Sequence, residues 1–600
     1  MTGSELMSGS ELMSEPQRMS EPELMTDSER MSEPERILAA LDEQQRMAAE
    51  ALLGPVCMLA GAGTGKTRAI THRIAYGVAT GVYAPGRVMA LTFTARAAGE
   101  LRTRLRALGA GTVSARTFHA SALSQLGFFW PQIVGGTMPR LLESKARLLA
   151  HAADSLKLKL DTATLRDAAA EVEWRKTMNL TIEQYIARAR PLPPTLTLEK
   201  IAGLQLAYEN LKDERRQLDF EDVLLTAAGM IENEPRVAQQ VREQYRFFVV
   251  DEYQDISPLQ HRLLSLWLGD RDDLCVVGDA AQTIYSFAGA SPDFLLSFQH
   301  EHEHAVVIKL EQNYRSSPQI VAAANRLMKD HQGALTLVAL QQSKVSARPT
   351  TSARPTISAR PTTSAFDTDA AEARGVAHAI ANEISAGVAP QDIAVLHRIN
   401  VQSSALETAL ADAGVPAIVR GAVRFFDLKE VKEAIMLLRG ASINTGPEPL
   451  FQTVSDVLRS IGWSQQPPEV RGAVRDRWES LNAIIRLAEG TAQGTTLRQF
   501  VTELTERQSG QHEPPRAAVT ITTLHSAKGL EWHSVYIIGL SEGMMPISYA
   551  KDAAAIDEER RLLYVGITRA QRLLALSWSA SGGHGRAAAR QPSRFLADLG

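Results

Sequence analysis

Ala60-Gly61-Ala62-Gly63-Thr64-Gly65-Lys66-Thr67 follows an apolar run, Val56–Ala60, and opens a stretch with helical periodicity. Glycines at alternate positions let successive backbone N–H groups turn toward one anion, and the helix start adds its partial positive charge. A strand that feeds such a loop and then a helix begins a parallel α/β layer. Lys66 is placed to reach the β- and γ-phosphates of a nucleotide, and the Thr67 hydroxyl to ligate Mg²⁺. Ala60 stands where the common phosphate-loop pattern has its first glycine, so the strand–loop–helix context carries the reading.

Working outward, Phe247-Phe248-Val249-Val250-Asp251-Glu252 is the complementary element, a buried strand that delivers two carboxylates at its C-terminal edge. Asp251 is expected to hold the metal through its water shell, and Glu252 to orient and deprotonate an attacking water. Further strands are expected at Val88–Thr92 and Leu274–Val277, then at Ile393–His397, Val519–Thr523, Val535–Ile538 and Leu573–Trp578. Alternation of such strands with amphipathic helices predicts an α/β chain with two groups of parallel strands. Residues 120–215 and 440–515 lack strand alternation and read as mostly helical insertions.

The chain has 600 residues, too many for one core. A composition of 44% hydrophobic and 22% charged residues fits an ordinary globular protein. No apolar run is long enough to span a bilayer, and the first residues lack a signal-peptide layout, so a cytoplasmic location is expected. The two cysteines, Cys57 and Cys275, are too few for a disulfide framework or a four-cysteine zinc site and read as small core residues. Net charge is −4, but residues 1–36 contribute −6 of it, leaving +2 elsewhere. Any nucleic-acid groove must therefore be a local positive stripe on a nearly neutral body.

Residues 1–36 carry a hexapeptide repeat with methionines at 7, 13, 19, 25 and 31, whose polar, acidic character predicts a disordered tail. A second period-six tract, Ser346–Thr363, has proline in every unit and predicts an extended insert, taken as 346–364.

At this point the sequence resembles the UvrD/Rep/PcrA group of superfamily 1A DNA helicases, from about Leu41 to Leu599. Leu41-Asp42-Glu43-Gln44-Gln45 resembles the adenine-reading Q motif, with Asp42 in place of the usual Asn. Thr92-Phe93-Thr94-Ala95-Arg96 is similar to motif Ia, and Thr117-Phe118-His119 and Asp219-Phe220-Glu221-Asp222 to smaller DNA-contact motifs. Asp251-Glu252-Tyr253-Gln254-Asp255 resembles motif II, Gly278–Ala290 motif III, and Gln312-Asn313-Tyr314-Arg315-Ser316 motif IV. Thr523–Trp532 resembles motif V and Tyr564–Ala570 motif VI. The order and spacing carry the likeness; no motif does so alone.

The resemblance implies two RecA-like lobes, 37–119 with 216–300 and 301–439 with 516–600, carrying the insertions 120–215 and 440–515. It implies an ATP-dependent, 3′→5′ single-stranded DNA translocase and helicase of repair or recombination that uses Mg²⁺ and acts at single-strand/duplex junctions, as a monomer. Gln45 would bond the adenine edge, Tyr314 and Arg68 would sandwich the base, and Glu531 would touch the ribose. Residues Ala60 to Thr67 would wrap the phosphates, Gln282 would sense the γ-phosphate, and Arg315 and Arg569 would act as arginine fingers. Phe93, Phe220, Tyr285 and Phe287 would be base platforms, and His119, His525 and Lys528 backbone contacts. Ser286 and Ala288 stand where the family tends to have arginine, which weakens any phosphate contact there.

The 440–515 insertion is about half the usual size and resembles that of a short-insert paralogue of high-GC bacteria, which continues into a further helical domain and a cysteine-rich element not expected here. A translocase that strips proteins and unwinds little is therefore the alternative outcome. A nucleotide-binding switch is a third reading, and stacking platforms alone do not separate RNA from DNA.

Overall fold

The computed structural model describes residues 32–160, 162–188, 196–340, 360–399, 402–420, 426, 428–443, 449–466, 473–489, 491, 494–510, 517–581 and 589–599. Most of both repeat tracts, residues 1–31 and 346–359, lies outside these.

The first sheet takes β1 (Val56–Ala60), β2 (Val88–Thr92) and β3 (Ser114–Thr117) from the start of the chain. The short pair β4 (Arg140–Leu141) and β5 (Gln217–Leu218) then closes the base of the first helical insertion. β6 (Phe247–Val250), β7 (Leu274–Gly278) and β8 (Val306–Leu310) complete the sheet in the order β3-β2-β6-β7-β1-β8, every neighbouring pair parallel. β6 and β7 are buried throughout because helices cover both faces, which is why they read as unbroken apolar runs. Helices Phe118–Ile133, Phe220–Asn233 and Pro258–Leu268 pack on one face, and Lys66–Ala79 and Ala95–Ala107 on the other.

After β9 (Gln312–Asn313) and β10 (Val338–Ala339), a second parallel sheet forms from β11 (Thr362–Phe366), β12 (Ile393–His397), β13 (Ala417–Val419), β14 (Val519–Thr523), β15 (Trp532–Ile537) and β16 (Ala570–Ser579). Its order is β11-β16-β15-β12-β14-β13. The two sheets flanked by helices are the expected pair of RecA-like lobes. Their cores meet: Ala62, Ala281 and Ile284 of the first lobe are buried in the same apolar cluster as Leu396, Leu524 and Tyr564 of the second.

Several expected boundaries move. Residues 33–36 are not tail but the start of a helix, Glu33–Ala39, because Pro34 and two acidic residues suit a first turn and Ile37 and Leu38 are buried. The first lobe runs past residue 300, since β8 pairs with β1 from Val56↔Val306 to Ala60↔Leu310. Helix Phe118–Ile133 belongs to the first-lobe core through Ala122, Leu126 and Phe129, so the helical insertion begins later than residue 120. Helix Lys429–Ala441 packs Val431, Ala434, Ile435 and Leu438 into the second helical unit, which therefore begins before residue 440. The second repeat tract ends in structure: Thr362–Ser364, expected to be extended insert, open edge strand β11, a position that tolerates the preceding proline. Cys57 and Cys275 are buried and unpaired in β1 and β7, as expected.

Candidate nucleotide site and nucleic-acid track

The sheet order places β6, β7 and β1 side by side, so their C-terminal ends bring three segments together: Asp251-Glu252, Asp279–Gln282 and the loop from Gly61 to Gly65. Gly63 and Gly65 have φ of +72° and +79°, which only glycine adopts without strain. A Cβ at Gly63 would also sit 2.6 Å from Asn313 Nδ2, and one at Gly65 2.7 Å from Gln45 Nε2. These neighbours brace the loop: Asn313 Nδ2 donates to the Ala62 carbonyl (2.7 Å), Tyr314 N–H to the Gly63 carbonyl (2.9 Å), and Gln45 Nε2 to the Thr64 carbonyl (2.9 Å). The Thr64 hydroxyl closes back on the Gly61 carbonyl at 2.8 Å.

Lys66 begins the helix that leaves the loop. Its Nζ is buried, donates no hydrogen bond among the described residues, and has Glu252 Oε1 as its ion-pair neighbour at 3.6 Å. A buried ammonium at the mouth of a glycine cradle is what a phosphate requires, so these residues fit a bound nucleotide. Burial alone would depress the Lys66 ammonium, but Glu252, Asp279 and Asp251 outweigh it and raise it.

The two carboxylates at the end of β6 are driven apart. Burial, and then the charge of Glu252, pushes Asp251 up to about 7. Burial also works against Glu252, yet Lys66, Lys528, the Gln254 hydrogen bond and Arg569 hold it down at about 2. Environments that separate a carboxylate pair assign the two members different work. Glu252 also sits at φ 53°, ψ 42°, left-handed backbone that costs a non-glycine residue about 1–3 kcal/mol. Gln254 Nε2 fixes its Oε2 at 2.5 Å. Among the described residues no three His, Cys, Asp or Glu side chains form a cation cage. Mg²⁺ needs only one or two protein oxygens beside substrate phosphates, and Asp251 with the Thr67 hydroxyl at the helix start fits that need.

The second lobe closes the site. Arg569 is buried, its Nη2 3.3 Å from Gln282 Oε1, while Gln282 Nε2 donates to Asp279 Oδ2 at 2.7 Å. Burial, and then the neighbouring Arg315, lowers the Arg569 guanidinium to about 9. Arg315 pairs through Nε with Glu531 Oε2 at 2.5 Å and donates to the Thr568 carbonyl at 3.3 Å. Lys66, Asp251, Glu252, Gln282 and Arg569 thus converge, with Arg315 and Glu531 paired beside them. Tyr314 hydrogen-bonds Asp42 and Arg68 the Ala40 carbonyl, so both lie against the segment expected to read adenine. Gln45 is buried and donates from its amide to the Thr64 carbonyl, bracing the phosphate loop. Asp42 instead caps the helix Glu43–Glu50 by accepting from Gln45 N–H at 2.7 Å.

An aromatic row leads away from Gln282. Phe93 and Tyr285 stack at 6.0 Å and 8°; Phe287 meets Tyr285 at 6.0 Å and His525 at 6.0 Å. His119 and Phe220 lie 5.4 Å apart. Phe93, Phe220 and Phe287 are 43%, 59% and 61% exposed, so they are surface rings and not core residues.

Lys528, expected as a DNA-backbone contact, is engaged by the first lobe in this structure. Its Nζ is buried between the lobes, 2.5 Å from Asp255 Oδ2 and 2.7 Å from the Gln282 carbonyl, and spans the two lobes as a latch. Residues to which the sequence reading gave no role prove structural here: Gln254, Asp255 and Asn313. They lie inside the motifs already quoted, where position was the only signal. Ser286, at one of the arginine-poor positions, donates its N–H to Glu558 of the second lobe at 3.1 Å.

Burial pushes the His119 ring down to about 4, and burial followed by the Arg398 charge does the same to His525. The ordinary value is about 6.5, so the unfolded chain takes up the protons first. Each ring's stabilising contribution is therefore complete above about 6.5 and is lost as pH falls toward about 4. If these rings contact a DNA strand, as the resemblance implies, they do so uncharged. The slope of log affinity for single strands against log salt is expected to be the same at about pH 6 and about pH 8, and a steepening of about 0.7 at the lower pH would show that one ring charges.

A glycine-braced phosphate loop, a split carboxylate pair and arginines supplied from a second lobe define a two-lobed P-loop nucleotide hydrolase. Residues 41–303 match the UvrD/REP helicase N-terminal domain, and residues 308–466 and 450–581 the UvrD-like helicase C-terminal domain. The chain belongs to the UvrD-like helicase family. It is similar to the ATP-dependent DNA helicase UvrD2 of Mycobacterium tuberculosis, 46% identical over 93% of this chain and 81% of the relative. DNA helicase II of Escherichia coli is 29% identical over 94% of this chain and 88% of its own length. The ATP-dependent DNA helicase PcrA of Bacillus subtilis is 27% identical over 94% and 86%. Among the described residues no helix is long and apolar enough to cross a membrane.

Proposed function

We propose that this UvrD-type, ATP-dependent DNA helicase moves 3′→5′ along single-stranded DNA and opens duplex at junctions in repair or recombination, as a cytoplasmic monomer. The observation that carries the reading is the segment Gln282–Phe287. One end hydrogen-bonds Arg569 across the nucleotide site and the other presents Tyr285 and Phe287 in the aromatic row. Closure of the lobes about a nucleotide thus shifts the same few residues that would hold bases.

In this reading the loop from Ala60 to Gly65, Lys66 and Thr67 hold the phosphates, and Thr67 and Asp251 hold Mg²⁺, which supplies charge neutralisation on the phosphates. Glu252 orients the attacking water. Lys66, 3.6 Å away, and the Gln254 hydrogen bond hold it in the charged form, ready to accept a hydrogen bond from that water. Gln282 relays the state of the phosphate end to the aromatic row. Arg315 and Arg569 stabilise the transferring group's charge. Tyr314 and Arg68 flank the base, and Glu531 serves the ribose only when Arg315 releases it. Phe93, Phe220, Tyr285 and Phe287 stack bases without regard to sequence. The polarity and the repair setting rest on the family likeness.

The test is ATP hydrolysis with and without a single-stranded oligonucleotide, followed by unwinding of 3′-tailed and 5′-tailed duplexes, for wild type and Phe287→Ala. Hydrolysis should rise with single strands, and only the 3′-tailed duplex should open. Phe287→Ala should raise the half-saturating oligonucleotide concentration on the order of tenfold. Hydrolysis indifferent to DNA would sink the motor reading, and DNA-stimulated hydrolysis without unwinding of either duplex would overturn the helicase step and leave a bare translocase.

A further inference from the structure

The helix Thr162–Thr177 ends between the two halves of the aromatic row. On one side Lys176, 2% exposed, donates from Nζ to Asp219 Oδ2 at 2.7 Å and Asp222 Oδ1 at 2.6 Å, with Glu209 Oε1 at 3.1 Å. Asp219 and Asp222 cap the helix Phe220–Asn233 reciprocally: Asp222 N–H donates to Asp219 Oδ1 and Asp219 N–H to Asp222 Oδ2, each at 2.9 Å. Phe220 is the first residue of that helix, so the carboxylates gripped by Lys176 also set where its ring stands. Lys212 joins the cluster at Glu209 (2.7 Å) and Asp219 (3.2 Å).

On the other side, the next two residues lie against the turn that carries Phe287. Gly289 closes that turn at φ +90°, and a Cβ there would come 3.1 Å from Thr177 Cγ2 and 3.3 Å from Met178 Sδ. One helix end therefore touches the backbone that aims both exposed rings. A buried ionic cluster is a poor way to gain stability, since apolar residues of similar volume often do as well. What it provides is a fixed register, because each ammonium must meet its own carboxylates.

We propose that Lys176 is a positioning residue for DNA stacking: through the Asp219–Asp222 cap and the Thr177–Met178 turn it sets the distance between the Phe220 and Phe287 platforms. The inference rests on reading those two rings as base platforms.

The test is a mutant cycle in the full chain. Lys176→Met and Lys176→Arg are made alone and with Phe220→Ala. Each is measured for the oligo(dT) concentration that half-saturates hydrolysis, DNA-free hydrolysis, thermal midpoint and quenching of a 2-aminopurine base. Lys176→Met is expected to raise half-saturation on the order of tenfold, to weaken the quenching and to leave DNA-free hydrolysis unchanged. Lys176→Arg should recover most of the loss, and Lys176→Met should add nothing once Phe220 is alanine. Asp222→Asn, which keeps the shape of the cap, should act in the same direction and serves if Lys176→Met does not fold. Additive losses with Phe220→Ala, or unaltered DNA half-saturation in folded Lys176→Met or Asp222→Asn, overturn the proposal and leave the platforms standing. If Phe220→Ala itself leaves half-saturation and quenching unaltered, the platform reading is what fails.

Discussion

Arg569→Ala is expected to lower DNA-stimulated ATP hydrolysis by about 10³–10⁵, the range seen when an arginine that stabilises phosphoryl-transfer charge is removed. The guanidinium is buried at the lobe interface, 3.3 Å from Gln282 Oε1, and is oriented by the carbonyls of Val565 (2.9 Å) and Leu530 (3.3 Å). Those bonds fix its plane, so Arg569→Lys, which keeps a charge but loses the fork, should recover little of the rate. The measurement is hydrolysis at saturating oligonucleotide, beside a thermal melt, because a guanidinium with two carbonyl partners also holds the fold. A folded alanine variant with less than about a tenfold loss would make Arg569 an architectural residue only.

Glu252→Gln should reduce hydrolysis by about 10²–10⁴ while leaving nucleotide binding in place. The amide keeps the volume and one acceptor oxygen but removes the charge that lies 3.6 Å from Lys66. The left-handed backbone at this position is as costly for glutamine as for glutamate, so the substitution changes chemistry with little change in strain. Single-turnover hydrolysis, with binding of a labelled nucleotide followed separately, distinguishes the two effects. Equal loss of binding and turnover would place Glu252 in nucleotide binding and remove it from the chemical step.

How much of this was legible in the sequence depended on whether a residue's neighbours along the chain were also its neighbours in space. The phosphate loop and the end of β6 are local: a buried strand, a turn and a helix start are written in consecutive residues, and both sheets were foreseen from such runs. β8 was not, because it is an edge strand with Val306 and Lys309 exposed, so it lacks the unbroken apolar run of β6 and β7. Edge strand β11 was hidden because a proline repeat runs into it. Lys528 shows the same limit at the site. A lysine in a DNA-contact motif reads as a phosphate ligand until Asp255, 273 residues away, is seen 2.5 Å from it. Gln45 likewise bonds a carbonyl of the phosphate loop 19 residues away, a contact its own motif does not show. The exposure of Phe93 and Phe220 could not be read locally either, since an aromatic at a strand end or a helix start suits core and surface equally.

The path of the chain between the two lobes has a mechanical consequence. The Gly61 N–H donates to the carbonyl of Leu310, the last residue of β8, and within four residues Asn313 and Tyr314 are bonded to the phosphate loop itself. The strand that carries the polypeptide into the second lobe is therefore laid across the nucleotide cradle. Were the lobes to turn about that point, the cradle would travel least and the distant ends of both lobes most. If the lobes move as proposed above, the short displacement would fall to the phosphates and the long one to residues far from Asn313, such as exposed Phe220.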